Sequence, residues 1–316
     1  MSSHSARSLE WGALIPYLAL HVACFAVFWV GWSPFSVTLC VALYFVRMFA
    51  VTAFYHRYFS HRTFKTSRAA QFVFAVAANA CAQKGPLWWA SHHRHHHRFS
   101  DQPGDTHSPV QDGFFYSHVG WIWLRSNFRS TREGMADFQK FPELRWLDRH
   151  DLLVPTALGV VLFALGALLE RIAPSLGTNA WQLFIWGFCV STVVLYHGTY
   201  TINSLSHRIG WRRFATTDDS RNHRGLALLT LGEGWHNNHH HYPGAMRQGF
   251  FKGEWDITGE ILRVFQRVGL IWDVHQAPAR VLADNRDARV PVRGVESPPR
   301  RVDLRVVDQQ EMPSCS

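Results

Sequence analysis

Four long apolar runs dominate the pattern of hydrophobic and polar positions along the chain. They cover about residues 12–32, 35–55, 152–170 and 180–202. As a helix, each run is long enough to cross a hydrocarbon core of roughly 30 Å. Helices buried in a large soluble core are the alternative, but such helices rarely run so far without charge. The pattern predicts an all-α integral membrane protein with four transmembrane helices in two hairpins.

The polar segments between the runs differ in charge. The turn at 33–34 carries none and the loop at 170–179 carries one Arg and one Glu, whereas 56–150 and 208–224 are rich in Arg and Lys. Loops rich in Arg and Lys stay in the cytoplasm. We therefore expect both long polar segments and both termini on the cytoplasmic side. Two spans separate the polar segments, so the segments return to the same side and can form one helical cap.

Composition divides the chain and bears on its partners. Residues 1–276 carry the spans and the cap and form one expected domain, whereas residues 277–316 are rich in Pro, Arg and Asp and are predicted to form a disordered tail. The formal net charge of +9 suits contact with anionic membrane lipids. Nucleic acid is not an expected partner, because the basic residues belong to a membrane-facing cap rather than to a nucleic-acid-binding fold.

Histidines are concentrated in three short clusters, at residues 56–61, 92–97 and 236–241. Neutral imidazole is the commonest metal ligand and suits iron, zinc and copper. The second and third clusters contain the pattern His-x-x-His-His, and positions i, i+3 and i+4 share one face of a helix. The clusters indicate a metal centre built from many histidines, with a solvated basic patch as the alternative.

Spacing leaves the register of the second cluster open, because the pattern fits when it starts at His92 and equally when it starts at His93. Asn203 and His207 add a further pair at the end of the fourth run. They lie four residues apart, so on a helix both would point into the same space beside the cap. His207 is therefore a further candidate ligand.

The clusters and their neighbours resemble the motifs of membrane fatty acyl desaturases of the stearoyl-CoA desaturase type. The resemblance covers about residues 12–275. The matching motifs are HR-x-x-SHR at 56–62, HR-x-HH followed by a basic, an aromatic, a Ser and an acidic residue at 93–101, NS-x-x-H at 203–207 and G-EG-x-HN-x-HH at 232–240. The segment FFYSHVGW at 114–121 resembles the family's FFFSHVGW and differs from it at Tyr116.

This resemblance implies a centre of two iron ions and favours the register that starts at His93. It implies that one iron is held by His56, His61, His93, His97 and His239, and the other by His96, His207, His236 and His240, with Asn203 reaching the second iron through water. Polar residues near these histidines are candidates to orient the imidazoles through their second ring nitrogen. They are Asp101, Asp105, Glu233 and Asn237.

The implied reaction consumes dioxygen, two electrons and two protons and leaves a cis double bond, expected between carbons 9 and 10, in a long-chain saturated acyl chain. Removing hydrogens from unactivated methylenes is chemistry that the metal supplies. The chain has no glycine-rich nucleotide motif, so we expect a separate electron carrier: a ferredoxin, a rubredoxin-like protein or a b-type cytochrome with its reductase. The expected location is the inner membrane of a bacterium.

Residues at the expected head-group site depart from the family pattern. Ser91 and His92 stand where the acyl-CoA enzymes have an Arg-Asp pair. Lys84, Arg125 and Tyr200 are the candidate substrate-binding residues, and the two cations suit a phosphate. We expect a long-chain acyl-CoA as substrate, with an acyl lipid as the first alternative and a membrane di-iron hydroxylase as the second. A metal transporter is not favoured, because ionisable residues are scarce within the spans.

Overall fold

The computed structural model describes residues 8–128 and 134–284, and most of these residues are helical. Two short strands, β1 Lys65–Thr66 and β2 Ile271–Trp272, pair antiparallel. π-helical segments cover Val51–Ser60 and Leu183–Val190. The α-helices are α1 Trp11–Cys24, α2 Val27–Val30, α3 Pro34–Ala50, α4 Arg68–Asn79, α5 Pro86–Phe99, α6 Phe114–His118, α7 Arg125–Phe128, α8 Ala136–Gln139, α9 Pro142–Arg149, α10 Leu153–Ile172, α11 Ala180–Gln182, α12 Ser191–Ser204, α13 Arg224–Leu229, α14 His236–His241, α15 Ile257–Arg267 and α16 Ala279–Ala283. Three short 3-10 turns lie among the described residues, at Gly120–Trp123, Pro174–Leu176 and Leu205–His207.

Four helical stretches are long and apolar enough to cross a membrane: Trp11–Val30, Pro34–Ser60, Leu153–Ile172 and Ala180–His207. This confirms the number and order of the predicted spans. The second and fourth stretches run five residues further than the predicted limits at 55 and 202. Hydropathy marks only the apolar part of a helix, whereas these two helices continue into polar turns that carry histidines.

The second span changes from α-helix to π-helix before it ends. Its start is well defined, because Ser33 and Ser36 form a reciprocal capping box and Pro34 takes the first helical position. Near its end, the backbone N–H of His61 donates to the carbonyl of His56 at 3.3 Å, which is a bond between residues five apart. The π-helix thus brings the two imidazoles together, with their ring centroids 4.9 Å apart.

The second and fourth spans pack closely against each other. A Cβ at Gly198 would lie 2.7 Å from the hydroxyl oxygen of Tyr44, so this contact requires glycine. Arg47 is buried at the same interface and donates to Thr192 Oγ1 at 2.8 Å and to Ser191 Oγ at 2.5 Å. Its charge therefore faces the protein interior rather than the lipid. The first and third spans each pack against the π-helical part of the fourth.

The polar segments fold into short helices, the cap, which pack against the last parts of the second and fourth spans. An aromatic cluster joins the cap to the second span, and Phe54 stacks on Phe74 with ring centroids 4.1 Å apart. The strand pair ties Lys65 to Trp272, near the end of the described chain. Disorder was expected from residue 277, but α16 occupies Ala279–Ala283, so that expectation is wrong for these residues. The rest of the predicted tail, residues 285–316, lies outside the described residues.

Candidate metal centre and adjoining cavity

Nine histidines from four separate segments converge on two adjacent pockets. In each pocket the candidate ligand atoms lie within 4.8 Å of one another. The pockets have the composition that the resemblance implies. The five-histidine pocket consists of His56, His61, His93, His97 and His239, and the four-histidine pocket of His96, His207, His236 and His240.

Helix α5 divides its five histidines between two sides. His93, His96 and His97 face the pockets, as the register that starts at His93 requires. His92 and His95 face elsewhere, and their Nε2 atoms lie 2.7 Å from the carbonyl of Asn127 and 2.8 Å from the carbonyl of Gly104. The fold thus brings together the histidines of the register that the resemblance favours, and metal binding by them stays a prediction.

Four carboxylates lie behind the imidazoles. His96 Nδ1 is 3.0 Å from Asp105 Oδ2, and His207 Nδ1 is 2.8 Å from Asp101 Oδ2. An imidazole whose Nδ1–H donates to a carboxylate turns the lone pair of Nε2 toward the pocket. The two further pairs are His240 with Asp218, at 2.5 Å, and His56 with Glu233.

The facing nitrogens fit a bound cation better than a hydrogen-bond network. In the five-histidine pocket, Nε2–Nε2 distances are 3.0 Å from His56 to His239 and 2.8 Å from His61 to His93. A ring nitrogen carries either a hydrogen or a lone pair, so a cluster of such contacts cannot be fully satisfied by hydrogen bonds. Nitrogens at right angles around a metal about 2.1 Å away lie about 3.0 Å apart.

The four-histidine pocket shows the same need for a cation. His207 Nε2 lies 3.0 Å from His236 Nε2. His240 Nε2 is buried and has no hydrogen-bond partner among the described residues. Its Nδ1–H donates to Asp218, so its lone pair points into the pocket. A buried lone pair without a donor is costly, and a metal ion satisfies it.

Burial keeps His93, His97 and His239 neutral and thus able to bind metal. Burial lowers the pKa of His93, His97 and His239 well below the ordinary value, and neighbouring histidines lower it further. For Asp101, burial raises the pKa, but its interactions with His207 and a hydrogen bond from Ser108 outweigh it and lower the pKa to about 2. For Asp105, burial likewise raises the pKa, but its interactions with His96 outweigh it and hold the pKa far below the ordinary range.

Glu233 is held in place by a buried network. Arg57 donates to Glu233 Oε1 at 3.0 Å and to Asp256 Oδ1 at 2.9 Å. The side chain of Gln248 donates to Glu233 Oε2 at 2.9 Å, and its backbone N–H donates to Asp256 Oδ2 at 2.7 Å. Sequence reasoning missed all three supporting residues and also Asp218. No fixed spacing links them to the histidine clusters, although Arg57 lies inside the first motif.

Asn237 was expected to orient a ligand imidazole, and the structure corrects this. Its Oδ1 accepts from the backbone N–H groups of Arg213 and Phe214, at 2.7 Å each. Its Nδ2 donates to the Phe214 carbonyl at 3.2 Å. Asn237 lies between two ligands in sequence, but on α14 its side chain points away from them. It fixes the loop that carries Asp218.

A cavity of about 630 Å³ extends from the pockets into the spans. Its walls are mostly apolar and come from α1, α10 and the fourth span. A second cavity of about 40 Å³, lined by His96, His236 and Asn203, has room for a water molecule. The residues that line both cavities are Trp89, His93, Thr199 and Asn203.

The three candidate substrate-binding residues do not share one location. Lys84 and Tyr200 line the large cavity. Arg125 does not line it; its side chain is 67% exposed and lies 3.7 Å from Glu10. The expectation that Arg125 contacts the substrate head group therefore concerns the surface of the protein and stays a prediction. Lys84 in turn pairs with Asp151 at 3.2 Å, so its charge is compensated within the protein.

Comparisons with known proteins point to one family. A family model described as fatty acid desaturase matches residues 31–248. A palmitoyl-monogalactosyldiacylglycerol delta-7 desaturase of Arabidopsis thaliana, described as chloroplastic, is 34% identical over 274 residues, covering 85% of this chain and 69% of that protein. The icosanoyl-CoA 5-desaturase of Limnanthes douglasii is 31% identical over 265 residues, covering 82% and 70%. The sn-1 stearoyl-lipid 9-desaturase of a Synechocystis strain is 30% identical over 279 residues, covering 87% and 83%.

Proposed function

Since the chain belongs to the fatty acid desaturase family, we propose that it binds two iron ions and uses dioxygen to place a cis double bond in a long-chain saturated acyl chain. The observation that supports this most is the convergence of nine imidazoles, four of them backed by carboxylates, beside an apolar cavity. The overall reaction converts an acyl chain, dioxygen, two electrons and two protons into the unsaturated chain and two water molecules.

Bound iron would supply dioxygen activation and the strong oxidant that an unactivated methylene requires. The protein residues position the chain and exclude water. Trp89 stacks on His93 with ring centroids 5.2 Å apart, so the cavity wall and the five-histidine pocket share a rigid boundary. The wall is mostly apolar, which keeps bulk water from the reacting carbons. Asn203, on the wall of the smaller cavity, is placed to hold a water beside the four-histidine pocket.

The charges around the cavity favour an acyl group esterified in a membrane lipid over an acyl-CoA. Apart from histidine, the charged residues among the described lining are Lys84 and Asp151, and they pair with each other. A CoA head group carries several phosphate charges and needs several cations. The described cavity lining offers no such group of cations, which supports the acyl-lipid alternative over the acyl-CoA that we expected from the sequence.

The position of the cavity supports the same substrate form. Its rim includes exposed residues of the first span, such as Pro16 and Ala19, and exposed residues of the third, such as Thr156 and Val160. Exposed faces of membrane spans are surrounded by lipid. An acyl chain already in the bilayer can therefore enter between these two spans without first leaving the membrane.

The distribution of charge among the loops supports one orientation of the protein in the membrane. Loop charge supports a cap and two termini in the cytoplasm, and a bacterial inner membrane is the setting we propose. The cap would then receive electrons from a separate soluble or membrane-bound carrier. A reporter fused near Ser175 should lie on the side opposite to one fused after Gly210; signals from the same side would contradict this topology.

The substrate form can be tested with purified, iron-loaded protein in lipid nanodiscs supplied with a chemical reductant. One sample receives a saturated long-chain phospholipid or galactolipid, and a matched sample receives the same chain as its CoA ester. We expect faster loss of two hydrogens from the lipid-linked chain, with the bond position read by mass spectrometry. Conversion of the CoA ester alone would restore the acyl-CoA expectation. A hydroxylated product would favour the hydroxylase alternative instead.

A further inference from the structure

The two metal pockets differ in the number of carboxylates behind their imidazoles. In the four-histidine pocket, three of the four candidate ligands have their Nδ1 within hydrogen-bond distance of a carboxylate. In the five-histidine pocket, the described hydrogen bonds and ion pairs give one ligand such a partner, the pair of His56 with Glu233. The three pairs of the four-histidine pocket are His96 with Asp105, His207 with Asp101 and His240 with Asp218.

The counter-charges differ as well. Within the described part of the chain, the ion-pair partners of Asp101, Asp105 and Asp218 are histidines alone. Glu233, by contrast, shares Arg57 with Asp256, so two carboxylates there are offset by one guanidinium. The environment of the four-histidine pocket is therefore more negative by about two charges than that of the five-histidine pocket.

Burial makes this difference matter. The side chains of Asp101 and Asp105 are 0% exposed and that of Asp218 is 6% exposed. A buried carboxylate without a cation is costly, and a divalent ion beside it offsets that cost. A carboxylate that accepts from an imidazole also makes the other ring nitrogen a stronger donor to metal. Both effects favour metal binding in the four-histidine pocket over metal binding in the five-histidine pocket, although the former offers one imidazole fewer.

We propose that the four-histidine pocket binds Fe(II) more tightly than the five-histidine pocket, fills first and keeps its ion when the other pocket is emptied. This rests on the proposed function only in taking iron as the metal. The three aspartates act as positioning residues, because they reach the metal through the imidazoles.

The first test is a competition between the protein and a chelator. The iron-loaded full chain is kept anaerobic and reduced, and a ferrous chelator is added in steps. Iron per chain is measured by mass spectrometry of the protein fraction. We expect a plateau near one iron per chain between the losses of the two ions. Anomalous difference density at the iron absorption edge, recorded from protein on the plateau, should lie among His96, His207, His236 and His240.

Two matched variants assign the plateau. Asp101→Asn removes one carboxylate from the four-histidine pocket, and Glu233→Gln removes the one from the five-histidine pocket. Loss of such a partner weakens metal binding roughly 10- to 100-fold. Asp101→Asn should therefore shorten or remove the range of chelator concentrations over which one iron per chain is kept. Glu233→Gln should extend that range. Asp218→Asn serves as a second carboxylate variant, and each protein is used only if it elutes as a single symmetric species.

The outcomes separate this inference from the proposed function. Two irons that leave together, or plateau density in the five-histidine pocket, would overturn the inference and leave the desaturase proposal intact. A plateau that Glu233→Gln removes and Asp101→Asn preserves would also overturn it. A protein that takes up no iron under these conditions would overturn both.

Discussion

The metal pockets and the acyl cavity share a wall, but polar and charged side chains form the pockets whereas mostly apolar side chains line the cavity. In the pockets, each charged group has a defined partner, such as Arg57 between Glu233 and Asp256. In the cavity, the wall is mostly apolar, and the charged pair that the described lining contains is Lys84 with Asp151. Directional contacts hold an ion at one point, whereas apolar walls accept a range of chains. Substitutions should therefore abolish function in the pockets and shift specificity in the cavity.

The largest expected effect comes from removing one inward-facing histidine of α5. His93→Ala should lose iron from the five-histidine pocket and abolish detectable desaturation, because its Nε2 lies 2.8 Å from that of His61 and 3.0 Å from that of His97. His92→Ala is the matched control on the adjacent position. It should keep close to two irons per chain by elemental analysis. Equal iron loss in both variants would contradict the register.

That register shows what the sequence could and could not predict. The four spans were predictable, because apolar runs of that length seldom form anything other than membrane-spanning helices. In the sequence, His56 and His61 were only weak evidence for a metal site. The π-helix explains their five-residue spacing, because it brings the two imidazoles together. Asp218 and Gln248 could not be assigned, because loops far apart in sequence bring them to the pockets. The direction of the Arg125 side chain, toward the surface and away from the large cavity, could not be predicted, because a motif match does not determine it.

The next largest effect is expected in the network behind Glu233. Arg57→Met would leave two buried carboxylates without their guanidinium, and breaking a buried ion pair costs about 3–5 kcal/mol. We expect a clear fall in the thermal unfolding midpoint of the detergent-solubilised protein, with loss of iron from the five-histidine pocket. Arg62→Met is the control, because this side chain is 59% exposed and lies 3.5 Å from Asp137. A similar midpoint for both variants would show that the network is not structural.

Acid should destabilise the metal-free protein through the same histidines. Burial lowers the pKa of His240 to about 4, so below about pH 6.5 the unfolded chain binds more protons than the folded one. The neutral His240 therefore contributes fully to the free energy of unfolding at neutral pH. This contribution, roughly 3 kcal/mol, is lost as the pH drops from about 6.5 toward 4. Thermal midpoints measured from pH 8 to 4 test this. A midpoint that rises on acidification would mean that the imidazoles are charged in the fold.

The smallest of these effects is expected in the cavity. Ala23 lies on the wall contributed by the first span, so Ala23→Phe should shorten the space for the acyl chain. We expect turnover of long chains to fall roughly tenfold relative to chains a few carbons shorter, with iron content unchanged. Val22→Phe is the control, because Val22 is 68% exposed on the outer face. Equal effects on chains of all lengths would mean that Ala23 does not border the chain.

The most direct test of the whole account is lipid analysis of a host that makes no unsaturated fatty acids of its own. The host expresses the wild-type chain, His92→Ala or His93→Ala, together with a compatible electron carrier. We predict cis-unsaturated acyl chains in the membrane lipids with the wild type and with His92→Ala, and none with His93→Ala. Saturated lipids in all three strains, despite two irons per chain in the wild-type protein, would contradict the account.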